Sequence, residues 1–256
     1  MSPGIVTHAG DVVRARAEYA SRRGANLRYV LATRYGWMQR HLEPDAYAVE
    51  LGCGAGFGGF FLKAGRLELT DVAPQPWVDR VVDALAMPYS DASVDALLVN
   101  NVIHHLAQPH RFFAEAARVL RPGGRLLLQE CDASLTTRAV IRLTGHEAYS
   151  FDVDPFDPLA ICNDPADPWS ANCALPNLLF DNLARFQRAF PAFRVEEHRR
   201  VEFLLHFNSG GFASRTPYLP LPWAGMRLAD ALDRVLVGIA PGLFAAQRRV
   251  SLVRVL

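Results

Sequence analysis

Val49-Glu50-Leu51-Gly52-Cys53-Gly54-Ala55-Gly56-Phe57 decides the fold of this chain. An apolar run, Tyr47–Leu51, ends in closely spaced glycines, and Phe57–Lys63 behind them has the texture of a short helix. Glycine is needed where backbone turns tightly or lies against a ligand with no Cβ between them. A buried strand that enters a glycine turn and opens a helix is the first βα unit of a parallel sheet. Further on, Leu67–Thr70 alternates into Asp71 and reads as a second strand, and Arg80–Val82 as a very short third. Asp95–Val102 is a strong buried strand, Arg111–Leu120 an amphipathic helix, and Arg125–Glu130 another buried strand. Arg121-Pro122-Gly123-Gly124 between the last two is a helix stop signal. Strand and helix alternate in this way across 46–131, which predicts a mostly parallel α/β sheet covered on both faces.

Either side of that core the texture differs. Residues 11–42 carry apolar side chains at helical spacing, with Gly24 as a break. Downstream, Ser134–Thr144 reads as a helix, and Tyr149–Ala174 as a long irregular stretch rich in Asp and Pro. Asn177–Phe190 returns to helix and Phe193–Val201 to strand. Asn208–Trp223 is a second irregular stretch, Ala229–Ile239 is helical, and Arg249–Leu256 alternates as a last strand. The expectation is a single domain over 1–256: a ligand-binding core at 46–131, and insertions at 132–176 and 202–245 forming a cap with the N-terminal helices.

Composition narrows the function. The chain has 256 residues, half of them hydrophobic, and a net charge of +1, so it buries a core without offering a clustered basic face to a polyanion. Nucleic acid is therefore not an expected partner. Cys53, Cys131, Cys162 and Cys173 form no CxxC pair and no finger-like spacing, so no metal site is expected from spacing. The opening MSPGIVTHAGDVVRAR holds no signal-like apolar run, and no stretch reaches membrane-span length. A cytoplasmic, reducing setting is the expectation.

The glycine turn alone has two readings. Gly54, Gly56 and Gly59 satisfy the dinucleotide pattern GxGxxG, with acidic Asp71 close to the spacing that pattern uses. Glu50 favours a different ligand. Its carboxylate lies at the strand end, two residues before the first glycine, where it attracts a cation and repels a pyrophosphate. Asp71 ends the second strand, Asp83-Ala84 follows the third, and Asn100-Asn101 end the fourth. All lie at strand carboxyl ends, where open α/β sheets bind ligands.

Taken together, VELGCGAGF, LTDVAP, DALAMPYSDASVDALLVNNVIHHL and ARVLRPGGRLLLQE resemble, in order, the motifs of the class I S-adenosylmethionine (SAM)-dependent methyltransferases that act on small molecules, the type 11-like domain. The resemblance covers about residues 46–131. It implies a Rossmann-like seven-stranded sheet with the final strand antiparallel, SAM as cofactor and S-adenosylhomocysteine as product. It implies that Glu50, Gly52, Cys53, Gly54 and Gly56 hold the methionine end, Asp71 and Val72 the ribose, Asp83 and Ala84 the adenine, and that Asn100 and Asn101 border the methionyl group. One departure is plain. Eleven residues, including Pro74 and Pro76, separate Asp71 from Asp83, which leaves almost no room for the usual helix; Trp77 either covers the adenine instead or joins the core.

Methyl transfer requires an acceptor atom held in line and water excluded. His105 and His146 are the candidate bases. His105 also suits packing on the helix that follows it, and His146 suits a helix C-terminus, where the dipole favours its charge. Asp152, Asp154, Asp157, Asp164 and Asp167 either face a cationic or hydroxylated substrate or form Asp-Pro turns. Phe151, Phe156, Trp169, Phe180, Phe207, Phe212, Tyr218 and Trp223 make the insertions aromatic, which suits an organic acceptor, as in secondary metabolism, with O-methylation ahead of C- or N-methylation. A SAM-fold enzyme with non-methylating chemistry and a non-catalytic SAM-binding regulator are the alternatives.

Overall fold

The computed structural model describes residues 12–21, 24–145, 147–210 and 218–256. Two helices come first, α1 (Val12–Ala20) and α2 (Ala25–Gln39). The core then runs β1 (Tyr47–Leu51), α3 (Gly58–Phe61), β2 (Arg66–Asp71), β3 (Arg80–Val81), β4 (Val94–Asn100), α4 (Pro109–Val119) and β5 (Leu120–Cys131). Beyond it lie α5 (Leu135–Thr144), α6 (Leu175–Phe180), α7 (Leu183–Ala189), β6 (Phe193–Val201), α8 (Leu204–Phe207), α9 (Trp223–Ile239), α10 (Pro241–Phe244) and β7 (Gln247–Arg254). The strands form one seven-stranded sheet in the order β3-β2-β1-β4-β5-β7-β6, parallel except where β7 runs antiparallel to β5 and β6. This is the expected Rossmann-like architecture.

Period-two alternation sorts the strand residues between two cores. Val49, Leu51, Leu97, Val99, Leu126 and Leu128 face one layer, where Phe112, Phe113, Ala116 and Val119 of α4 and Phe180 and Phe186 of α6 and α7 cover them. Ala48, Ala96, Leu98 and Leu127 face the other, under Leu27, Leu31, Tyr35 and Met38 of α2. Glu50 shares the parity of Ala48, so it lies on the α2 face. The Arg121–Gly124 stop ends α4 but falls inside β5, where a register shift against β4 absorbs it and Gly123 takes a φ of 82°.

No helix joins β2 to β3. The link is a loop pinned where Asp79 Oδ2 accepts the Leu69 N–H at 2.8 Å. The Asp/Pro-rich stretch is ordered by turn chemistry: Asp154, Asp157, Asp164 and Asp167 each accept, through Oδ1, the N–H two residues on, across a proline. One oxygen of each of these four carboxylates is thereby engaged in a turn. The stretch is tied down where Asn163 Nδ2 donates to the His104 and Leu106 carbonyls at 2.9 and 3.0 Å. The second irregular stretch is fastened to α2, where Asn26 Nδ2 donates to Asn208 O and Leu219 O. Among the described residues, no helix is long and apolar enough to cross a membrane.

Candidate functional site

The glycine turn leaves β1 with Gly52, Gly54 and Gly56 at φ of 65°, 52° and 68°, a region that favours glycine. It borders an open cavity of about 1420 Å³ along the carboxyl ends of β1, β2, β4 and β5. A pocket for one drug-sized ligand holds roughly 300–1,000 Å³, so two molecules fit side by side. Glu50, Gly52, Cys53, Gly54, Asp71, Val72, Asp83, Ala84, Asn100 and Asn101 all line it.

Gly56 is not among the residues that line the cavity. It lies under the Trp77 indole, where a Cβ would come within 2.3 Å of the ring. Trp77 Nε1 donates to the Gly54 carbonyl at 2.8 Å, and the Arg16 guanidinium lies over the indole ring, 4.5 Å from its centroid. Trp77 thus braces the glycine turn and is not among the residues that line the cavity. Arg16 Nη1 also donates to the Ala55 carbonyl at 2.7 Å, which locks α1 to the same turn.

Glu50 is the most unusual group in the site. It is fully buried, and its Oε1 accepts the Tyr35 hydroxyl at 2.6 Å. Its Oε2 has no hydrogen-bond partner among the described residues. Oε2 occupies the space a side chain on Gly58 would need, 1.8 Å from the Cβ position. Burial pushes the Glu50 carboxyl up to about 7; the Tyr35 hydroxyl opposes this, and the nearby Asp71 carboxylate adds to it. An unpaired anionic oxygen in such a place costs free energy unless a cation or donor arrives. Asp71 sits opposite, accepting the Gly54 N–H through Oδ2 at 2.8 Å and the Ala73 N–H through Oδ1 at 3.1 Å. Two carboxylates thus bracket the turn, an arrangement hostile to a pyrophosphate and suited to a ligand with positive charge and hydroxyls. Asp83 turns its Oδ1 to the Leu85 N–H at 2.8 Å. Asn101 takes a left-handed φ of 58° and donates to Asn100 Oδ1 at 3.0 Å.

At the β4–β5 end of the cavity stands a group of side chains that spacing did not reveal. His104 is buried, and its Nδ1 lies 2.8 Å from Glu130 Oε2. Glu130 Oε1 accepts the N–H groups of Val102 and Ile103 at 2.7 Å each. Burial disfavours the His104 imidazolium, but the Cys131 sulfur and the Glu130 carboxylate outweigh it and raise the pKa well above its ordinary value. His104 Nε2 lies 3.8 Å from Glu147 Oε1, and the Cys173 thiol donates to Glu147 Oε2 at 2.6 Å. The residues meet because the turn after β4 and the end of β5 are neighbours in the sheet. His104 and Cys131 were readable from that rule; Cys173 arrives on the irregular loop.

His105 also lines the cavity. Its Nδ1 lies 3.1 Å from the Ser170 carbonyl, so that nitrogen carries the hydrogen and Nε2 the lone pair. Burial first, then the His104 charge, lower its pKa to about 4. His146 lies outside the described residues. The cap aromatics divide. Trp169, Phe207 and Tyr218 line the cavity, and Tyr218 donates to Glu18 of α1 at 2.8 Å, closing the rim. Phe156 instead packs on Phe190 beneath the sheet, Phe151 lies exposed beside Arg138, Phe180 is core, and Trp223 meets Tyr29. Phe212 is outside the described residues.

The profile of the methyltransferase domain family, described as "Methyltransferase domain", matches residues 49–128. The ubiquinone/menaquinone biosynthesis C-methyltransferase of Roseobacter denitrificans is 36% identical over 100 residues, 39% of this chain and 38% of that protein. The malonyl-[acyl-carrier protein] O-methyltransferase of Hahella chejuensis is 34% identical over 106 residues, 34% of this chain and 36% of that protein. The match therefore spans little more than a third of either relative's own length. Among solved structures, geranyl diphosphate C-methyltransferase from Streptomyces coelicolor superposes with a TM-score of 0.53 at 15% identity, over 87% of this chain and 79% of that one.

Proposed function

We propose that this chain, a member of the class I SAM-dependent methyltransferases, transfers the SAM methyl group to a small organic acceptor held under its cap. The observation that carries the reading is the buried, unpaired Glu50 oxygen beside the glycine turn. A ligand with an ammonium and a sulfonium, and no phosphate, supplies the positive charge this carboxylate needs. Glu50 and the turn from Gly52 to Gly54 then take the methionine end, Asp71 the ribose hydroxyls, Asp83 and Ala84 the adenine edge, and Asn100 and Asn101 the methionyl flank. When bound, SAM supplies an electrophilic methyl group; the chain's task is to place the acceptor in line and exclude water. The cap and α1 close the cavity from above, and Trp169, Phe207 and Tyr218 offer an apolar acceptor wall. His105, which lines the cavity and is neutral at physiological pH, is the candidate to accept a proton from an acceptor hydroxyl, and on that ground O-methylation is the preferred reaction. The near-zero net charge offers no bias toward a polyanion, which supports a small-molecule acceptor over nucleic acid.

Calorimetry with SAM, S-adenosylhomocysteine and NAD tests the cofactor assignment. Binding of the first two and not the third is expected; NAD binding without a response to SAM overturns it. Transfer of labelled methyl to candidate acceptors tests the reaction, and its absence across hydroxylated acceptors, with transfer to carbon, reverses the O-methylation preference.

Asp71→Ala is expected to weaken SAM binding by about 1–3 kcal/mol, the scale of charge-assisted hydrogen bonds to the ribose. The fold persists, because Asp71 caps a half-exposed strand end. An unchanged dissociation constant means that the ribose is held elsewhere.

Binding should also release a proton. The free chain carries Glu50 largely protonated below pH 7, and a cationic ligand selects the carboxylate. SAM affinity therefore rises from pH 5.5 towards pH 8, levelling above the carboxyl's raised value. Calorimetry in buffers of different ionisation heat measures the released proton directly. Affinity flat across that window refutes the coupling.

A further inference from the structure

We propose that His104, Cys131, Cys173 and Glu147 form a zinc site at the β4–β5 end of the cavity, facing the acceptor. His104, Cys131 and Cys173 each place a ligand atom within 4.8 Å of the other two, and His104, His105 and Glu147 form a second such group through the shared histidine. Donor atoms around a tetrahedral zinc ion lie about 3.3–3.8 Å apart, given its bond lengths to sulfur and nitrogen. The sulfurs and the imidazole need only a small contraction to reach that spacing. Two sulfurs, one imidazole and one carboxylate are donors that zinc accepts together, and the sulfurs disfavour magnesium and calcium.

The surroundings support the same ion. A zinc-bound histidine commonly donates its other ring N–H to a carboxylate, which fixes tautomer and orientation. Glu130 provides this contact to His104 Nδ1, and is itself fixed by two backbone N–H groups. Nε2 is left as the ligand atom. Glu147 faces Nε2 on one side and the Cys173 sulfur on the other, so its carboxylate already touches two of the other three members. As zinc binds, the thiols of Cys131 and Cys173 and the His104 imidazolium at Nε2 lose their protons to solvent. The three deepest ligands are 1–6% exposed, whereas the Glu147 side chain is 28% exposed on the cavity side. Glu147 is thus the ligand that an acceptor hydroxyl or thiol displaces. Coordination would lower that group's pKa and ease transfer of its proton to His105, whose ring lies beside His104 and Glu147. The class of acceptor this site takes is a small molecule bearing such a protic oxygen or sulfur.

The inference deepens the transferase reading but does not share its test. The reduced chain, stripped with chelator and without SAM, is titrated with Co²⁺ under anaerobic conditions. One equivalent is expected to give a thiolate-to-cobalt charge-transfer band and intense tetrahedral d–d bands, both displaced by Zn²⁺. Cys131→Ser and Cys173→Ser abolish the charge transfer or change it to that of a single thiolate. Cys162→Ser, a buried cysteine outside the group, leaves it intact. Glu130→Gln, which keeps an acceptor for the backbone, weakens metal binding by about 10–100-fold. Circular dichroism of each variant checks that the chain remains folded. No charge-transfer band in the parent chain, or one that persists in the folded Cys131→Ser/Cys173→Ser double variant, overturns the site. SAM binding without the cobalt bands leaves the transferase reading standing alone; the cobalt bands without SAM binding do the reverse.

Discussion

Glu202→Ala is expected to lower the free energy of unfolding by about 3–5 kcal/mol, the cost of leaving one member of a buried ion pair alone. Arg34, wholly buried on α2, donates to both Glu202 oxygens: Nε to Oε1 at 3.0 Å and Oε2 at 3.2 Å, and Nη2 to Oε2 at 2.7 Å. Glu202 follows β6 at a left-handed φ of 54°, so the pair clamps the antiparallel end of the sheet to the helix over the glycine turn. Burial alone raises the Glu202 carboxyl, but the Arg34 guanidinium outweighs it and holds the pKa below the ordinary range. The sign follows. A depressed carboxyl stabilises the fold above its unfolded value of about 4.3, and that contribution fades as pH falls through the folded value. Urea denaturation at neutral pH measures the loss. Replacing both partners by Met is expected to recover most of it, since apolar substitutes of similar volume avoid the desolvation penalty. A single variant as stable as the parent refutes the clamp.

Glu50→Gln is expected to separate binding from stability. It keeps the shape and the Tyr35 contact but removes the charge, so SAM binding falls by about 1.5–3 kcal/mol, or roughly 10–150-fold. The cofactor-free fold should become more stable above pH 7. A carboxyl raised from 4.5 to about 7 by burial withholds about 3 kcal/mol of stability once ionised. That contribution is present below the unfolded pKa and lost as pH rises through the folded one; an amide never loses it. Thermal melting and calorimetry on the same variant read the two effects. A variant that melts lower and binds SAM unchanged shows that Glu50 is a structural group.

The strand and helix order was legible because every core strand is a short apolar run bounded by a turn or a stop, and α4 places Phe112, Phe113, Ala116 and Val119 on one face. Glu50, Asp71, Asp83 and Asn100 could be brought to one edge from sequence, since parallel strands end on the same side. What escaped was set by three-dimensional closure. Gly56 matches the motif as well as Gly52 does, yet Trp77 rests on it, because the short β2–β3 link returns close to the turn. Phe156 sits in the irregular stretch but packs beneath the sheet; aromatic content does not tell which way a loop folds back. The Asp-Pro turns were written in the sequence, each as an acid followed by proline. The meeting of Cys131 with Cys173, 42 residues apart, depends on the path those turns impose.

The place of β7 between β5 and β6 also sets the order in which the sheet is completed. β5 and β6 flank the last strand in chain order and pair with it along most of their lengths, not with each other. Until residues 247–254 are available, both present open hydrogen-bonding edges, and the apolar run Leu126–Leu128 borders one of them. Such contacts join segments more than 100 residues apart for β5, which slows folding and exposes a template for misassembly during synthesis. A chain lacking the final strand therefore loses a central staple of the sheet, not a dispensable margin.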